Sequence, residues 1–391
     1  MIKLSTSDFK QLAEAKSSCV SIYMPAEKAG AETRKNPILF KNLIKEAQDK
    51  LEQRDLLTDE LANVLNSAED YIDNYDFWQH QDSGLAFFIN TDGIKYYRLP
   101  HSFEPYVEVG DRFYLKPLLP VITNNSKFYL LTLAQNQVQF FLGSHYSINQ
   151  VDLPESIPAS LAEALKYDDP EKQTQYHSSN PTTSPIYHGQ GVGTTDNKDE
   201  IRRFFQQIDR GLQAVLQEGK TPLILAGVEF LLPIYQEVNS YGNLLPKGIT
   251  GNPENVEPTE LHRQAWSIIE PHLAGTRKEA IDKYHQLANT EEASSQLEQV
   301  VAAAAVGQVE TLFVAANAQY WGEFQLQSNK VISHAEATPD SIDLVDFAAT
   351  QTYLQGGNVY ILELAEMPEQ TVLSAVFRYR VYANPDRVTA S

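Results

Sequence analysis

The segment Tyr187-His188-Gly189-Gln190-Gly191-Val192-Gly193 sets a glutamine among three glycines with one imidazole beside it. Glycine lets a backbone turn sharply and approach another molecule closely. A glutamine amide is neither a strong base nor a nucleophile. It positions water or a carbonyl through hydrogen bonds, and the backbone N–H donors of such a tip stabilise charge developing on an attacked oxygen. Gly189 and Gln190, with His188 beside them, are the candidate catalytic residues, although a lone loop histidine is more often a solvated residue than a ligand or base.

Other chemistries find less support. The spacing Gly189-x-Gly191-x-Gly193 does not fit a dinucleotide loop, and no strand directly precedes it. Thr194-Thr195 stand where a phosphate loop needs Lys and then Ser or Thr. The nine histidines include no HExxH or HxH pair. Tyr167-Asp168-Asp169-Pro170-Glu171 reads as a solvated turn and helix cap rather than a metal site. There is no GxSxG elbow. The expectation is no metal and no cofactor.

The elements that must position the tip follow from periodicity. Residues 168–200 show no apolar period, and connections that long are usually functional or disordered. A helix starting at Asp196 or Asp199 carries Ile201, Phe204, Phe205, Ile208, Leu212, Val215 and Leu216 on one stripe. Arg202, Arg203 and Arg210 lie off it; RNA-phosphate contact and plain helix-surface charge are equally good readings of them. Strands are expected at 127–135 and 137–143 around Asn136, and at 222–227. A helix over 230–238 is interrupted by Pro233. Upstream come a strand at 18–25, a helix capped by Asn36 with Pro37 at its first position, a second amphipathic helix through Ile72, and a hairpin of 84–90 with 94–99. Downstream, helices near 278–288, 292–306 and 342–354 alternate with strands at 311–315, 359–362 and 372–377. This is α/β ordering in three domains: 1–124, 125–275 with its loop at 172–198, and 276–391.

Composition sets limits. The chain has 391 residues, 42% of them hydrophobic, enough for several packed cores. A single cysteine, Cys19, excludes an internal disulfide and a cysteine zinc site, and fits a reducing cytoplasm. The opening MIKLSTSDFKQLAEA lacks a basic region followed by an apolar core, so no signal peptide is expected. No apolar run reaches the roughly 18 residues of a membrane span. The net charge of −20 weighs against nonspecific nucleic-acid binding. Residues 291–391 hold four Lys or Arg against thirteen Asp or Glu, which suits either a basic protein partner or simple solubility.

Several separated stretches together resemble the archaeo-eukaryotic peptide-chain release factor superfamily, which includes the ribosome-rescue protein Pelota, and more closely its bacterial families. His188-Gly189-Gln190 before the helix 200–217 is similar to the Gly-Gly-Gln loop and basic helix of the release factors' middle domain. Leu223-Ile224-Leu225-Ala226-Gly227 is similar to the strand after that helix. Val306-Gly307-Gln308-Val309-Glu310-Thr311-Leu312-Phe313-Val314, with the ending Leu373-Ser374-Ala375-Val376-Phe377-Arg378-Tyr379, resembles the C-terminal domain. The resemblance spans about 125–385; His188 replaces the first glycine, and the N-terminal third shows no recognisable codon-reading motif.

The resemblance implies a ribonuclease-H-like middle domain with an extended loop and an L7Ae-like α/β sandwich at the C-terminus. It implies a cytoplasmic factor whose partners are the ribosome and peptidyl-tRNA, and a translational GTPase through the acidic last domain. The tip would enter the peptidyl-transferase centre and position water against the peptidyl-tRNA ester, with Arg202, Arg203 and Arg210 on RNA phosphates. The alternative is a non-catalytic hibernation or adaptor protein with a degenerate loop. A metal-dependent nuclease using Asp152, Asp168 and Glu229 ranks last.

Overall fold

Helix α1 (Thr6–Ala13) opens on a reciprocal cap: the Ser5 hydroxyl accepts the Asp8 N–H at 3.1 Å, and Asp8 accepts the Ser5 N–H at 2.9 Å. The computed structural model describes residues 4–28, 30–123, 127–154, 156–168, 193–216, 221–325, 327–338 and 341–380. They fall into two units, Met1–Asn125 with Gly275–Ser391, and Ser126–Ala274. The fold is mixed α/β with several sheets, as the sequence indicates.

The first half of unit one runs β1 (Cys19–Pro25), α2 (Lys35–Gln53), α3 (Asp59–Glu69), α4 (Tyr75–Gln79), β2 (Gly84–Asn90), β3 (Gly93–Leu99), β4 (Tyr106–Gly110) and α5 (Leu119–Ile122). The strands form an antiparallel sheet in the order β3-β2-β1-β4, with Ile22 opposite Phe87 and Val107. Central β1 is apolar without alternation because both of its faces are covered. Val20, Ile22 and Met24 pack with Phe40, Leu43 and Ile44 of α2. Cys19 and Tyr23 join a second core that includes Val300, Leu344 and Val345 from the other end of the chain.

Unit two begins with β5 (Phe128–Leu133), β6 (Val138–Gly143), β7 (Ile148–Val151), α6 (Leu161–Asp168) and α7 (Gly193–Leu212). It continues through β8 (Leu223–Gly227), α8 (Leu231–Val238), β9 (Ile249–Thr250) and α9 (Pro258–Leu287), which runs on past the unit's last residue, Ala274. Its five strands are ordered β7-β6-β5-β8-β9, with β8 parallel to both β5 and β9, and antiparallel pairs elsewhere. One sheet face buries Leu131, Leu133 and Phe140 under α7 and α8; the other buries Phe128, Leu130 and Ile224 under Leu261, Ala265 and Ile269 of α9.

The last part of unit one adds β10 (Ala293–Ser294), α10 (Leu297–Ala305), β11 (Val309–Ala315), β12 (Trp321–Gln325), β13 (Lys330–Ser333), β14 (Ile342–Asp343), α11 (Leu344–Leu354), β15 (Asn358–Leu362) and β16 (Leu373–Phe377). They form a sheet ordered β10-β16-β11-β15 and a small sheet ordered β13-β12-β14.

Four local expectations are corrected. Asn36 does not cap α2: it is buried, and its amide pairs with the Glu27 backbone, accepting the N–H at 3.0 Å and donating to the carbonyl at 3.1 Å. Satisfying the chain that leaves β1 outweighs satisfying the helix start. Pro233 sits in the first turn of α8, where its missing N–H costs nothing, so the helix is not interrupted. The helix expected at 278–288 is the end of α9, which carries Pro271 inside it. And α7 begins at Gly193, earlier than the aspartates.

Candidate functional site

His188, Gly189 and Gln190 lie outside the described residues; the elements on either side of them do not. Helix α6 ends at Asp168 before them and α7 begins at Gly193 after them. Helix α7 is held by Ile201, Phe204, Phe205, Ile208 and Leu212, all buried in the core it shares with Leu131, Leu223, Leu231 and Tyr235. Its far end is fixed twice. At Gly211 a Cβ would lie 2.2 Å from Cγ1 of Ile157, so only glycine lets the helix come this close to the strand-to-helix connection. The buried Asp209 carboxylate accepts the Ser240 N–H at 3.0 Å and its hydroxyl at 2.6 Å, tying α7 to the end of α8.

That tie gives a prediction. Asp209→Ala leaves the Ser240 donors unpaired, and is expected to cost about 1–3 kcal/mol in chemical denaturation. An unchanged midpoint would mean that apolar packing alone fixes the helix.

The three candidate arginines are not equivalent. Arg202 forms an ion pair with Glu237 of α8 at 3.5 Å, both side chains being 46% exposed. Arg203 and Arg210 are exposed and stand seven positions apart on the side of α7 opposite its buried stripe. Seven residues of helix rise about 10 Å and return to nearly the same angle, so the two cations form one line along the surface.

The loose carboxylates do not converge. Asp152 follows edge strand β7 and Glu229 follows β8, and the order β7-β6-β5-β8 puts three strand spacings between them. That is about 14 Å, far beyond a shared metal. Asp168 ends α6. Among the described residues no group of three or more His, Cys, Asp and Glu is placed to hold a metal ion. No helix among them is long and apolar enough to cross a membrane.

A polar cluster in unit one was not anticipated. Lys116 is 4% exposed, and its ammonium donates to the Ala318 carbonyl and stands 3.9 Å from Asp343 Oδ2. Asp346 Oδ1 accepts the Leu115 N–H at 2.8 Å and also the Lys116 N–H. Burial, then the neighbouring Asp343 charge, pushes the Asp346 carboxyl up to about 7. Burial likewise raises Asp343 and lowers Lys116. No local spacing could have found this group, because its halves are 230 residues apart in the chain.

Residues 128–271 match the family model of the bacterial archaeo-eukaryotic release factor family 7. No curated protein matches the chain. Among solved structures, archaeal Pelota from a model of ribosome-bound Pelota and ABCE1 is similar at 14% identity and a TM-score of 0.40, covering 74% of this chain and 73% of that one. Dom34 of S. cerevisiae, a translation termination-like factor, is 12% identical over 74% of each chain with a TM-score of 0.36. The archaeal translation termination factor aRF1 is 13% identical over 96% of this chain and 99% of its own, with a TM-score of 0.23. The family match thus runs from the start of β5 into α9, and it is this part of the chain, with the glycine–glutamine segment inside the matched range, that is similar to the bacterial archaeo-eukaryotic release factor family 7.

Proposed function

We propose that the chain is a cytoplasmic, ribosome-associated translation factor that brings Gln190 to the end of peptidyl-tRNA in the peptidyl-transferase centre. The observation carrying this reading is the family match over 128–271, which brackets the tip His188-Gly189-Gln190 and the helix after it. In this reading the tip's backbone donors and the Gln190 amide orient water against the ester. Unit two is ribonuclease-H-like, a reading supported by its order β7-β6-β5-β8-β9 with β5, β8 and β9 parallel. The segment 276–391 is the L7Ae-like part, meeting a translational GTPase or a basic ribosomal surface through its acidic residues. The segments 1–124, 125–275 and 276–391 then serve as three functional domains. The replacement of a glycine by His188 favours a second reading, a factor that occupies the site without hydrolysis.

The test is salt-dependent ribosome binding measured beside peptide release. Each phosphate neutralised contributes about one unit to the slope of log affinity against log salt. Arg203→Ala with Arg210→Ala is expected to lower that slope by about two units. Arg202→Ala, whose partner is Glu237, is expected to change it little. An unchanged slope in the double variant would remove RNA contact from α7. Strong binding without release by the unmutated chain would leave occupancy as the function.

A further inference from the structure

Beside β4, β12, β14 and α11, unit one holds a small half-open cavity walled by Glu108, Asp111, Arg112, Tyr114, Trp321 and Asp343. Its volume is about 20 Å³, room for one water-sized group. Asp343 carries the chemistry. Its side chain is 2% exposed, and Oδ1 accepts the Tyr320 N–H at 3.1 Å and the Val345 N–H at 3.0 Å. Oδ2 has no hydrogen-bond partner among the described residues. Lys116 does not serve it: at 3.9 Å the ammonium is beyond hydrogen-bond reach and donates to Ala318. Two buried carboxyls, Asp343 and Asp346, thus stand beside the Lys116 ammonium, and Asp343 Oδ2 is left without a donor.

The other wall charges are accounted for. Glu108 pairs with Arg54 at 3.1 Å, and Arg54 lies 5.8 Å from the centre of the Trp321 ring. Asp111, 68% exposed and 3.4 Å from Arg112, marks the open side. A carboxyl oxygen without a donor, Asp343 Oδ2, beside the Tyr114 and Trp321 rings of the same cavity suits an ammonium group. A primary ammonium brings three N–H donors to such an acceptor, and a quaternary one brings none.

We propose that this cavity takes the protonated primary amine of a lysine side chain presented by a basic protein, with Asp343 Oδ2 as its acceptor. The source is a protein rather than a free polyamine because Glu291, Glu298, Glu336, Glu363, Glu366 and Glu369 of the last part of unit one are exposed, a charge suited to a basic partner. The inference needs no ribosome, so it stands or falls apart from the reading above.

The experiment is thermal unfolding and calorimetric titration of the full chain. Methylammonium is expected to raise the unfolding temperature saturably, while tetramethylammonium and sodium at equal ionic strength do not. N-acetyl-lysine amide is expected to bind, and its Nε-acetylated form is not. Asp343→Asn keeps the Oδ1 acceptor that caps α11, and is expected to weaken lysine amide binding at least about tenfold. Trp321→Leu, which leaves the buried carboxylates in place, is expected to weaken it as well. Equal responses to methylammonium and tetramethylammonium, or undiminished binding by the folded Asp343→Asn protein, would overturn the proposal and leave the cavity to water. Binding of spermidine without binding of the lysine amide would overturn the protein source.

Discussion

Replacing Gln190 by proline is expected to abolish peptide release from stalled ribosomal complexes, while alanine at the same position retains part of it. The two substitutions separate backbone from side chain. Proline removes the N–H and fixes φ near −65°. If that N–H stabilises charge on the attacked ester oxygen or the leaving group, its loss costs about 10²–10³ in rate. Alanine keeps the donor and removes only the amide, which cannot act as a base. Both variants are expected to bind ribosomes like the unmutated chain, since the proposed RNA contacts, Arg203 and Arg210, lie on α7. Release by the proline variant at the unmutated rate would rule out a backbone donor at this position.

Lys116→Met is expected to destabilise unit one by about 3–5 kcal/mol near pH 8, because it leaves two buried carboxyls without their cation. The cost is expected to shrink towards about pH 5.5, and the sign follows from the carboxyls. Asp346 rises from the ordinary 3.8 to about 7 in the folded chain. A raised carboxyl contributes stability while it is protonated, and loses that contribution as pH climbs through its folded value. Asp343 is raised by burial in the same direction. The unmutated chain should therefore also lose stability between about pH 5.5 and 8, on the order of a few kcal/mol. Asp346→Asn keeps an acceptor for the Leu115 and Lys116 N–H groups, and should flatten that slope. Urea denaturation at the two pH values reads all three proteins. Equal costs of Lys116→Met at both would show that its packing, not its charge, matters.

Elements whose signal is local were legible. The β2–β3 hairpin follows from Thr91-Asp92-Gly93 between two apolar runs, and Gly93 has φ +131°. The stripe of α7 follows from helical spacing, and its first five members are buried. The glycine of Val306-Gly307-Gln308 ends α10 with φ +73°, and the N–H groups of Gly307 and Gln308 bond back to Ala304 and Ala303. The Arg378 of the terminal motif closes the same corner: its N–H bonds to the Gln308 carbonyl at 2.8 Å and its guanidinium to the Gln355 carbonyl at 2.7 Å. Two motifs read separately in the sequence thus meet at one turn.

What escaped depends on distant partners. Periodicity alone starts a helix near 278, yet α9 begins at Pro258 and runs through Pro271, with Leu261, Ala265 and Ile269 buried before the proline and Tyr284 after it. Strands β4, β7 and β12 to β14 are short, and their pairing is set by neighbours rather than by their own period. The Lys116–Asp343–Asp346 cluster has no sequence signature, since nothing near Lys116 indicates that two aspartates of α11's first turns will bury it. At the candidate site the chemistry could be read only from residue types, because a glycine-rich segment has no apolar period to constrain it.

Sedimentation of the tagged chain through a sucrose gradient, in lysates of growing and of starved cells, tests the central claim most directly. The account predicts that the chain travels with ribosomal particles at low salt, leaves them as salt rises, and leaves later than the Arg203→Ala, Arg210→Ala variant would. A chain that stays at the top of the gradient at low salt, in both lysates, would contradict it.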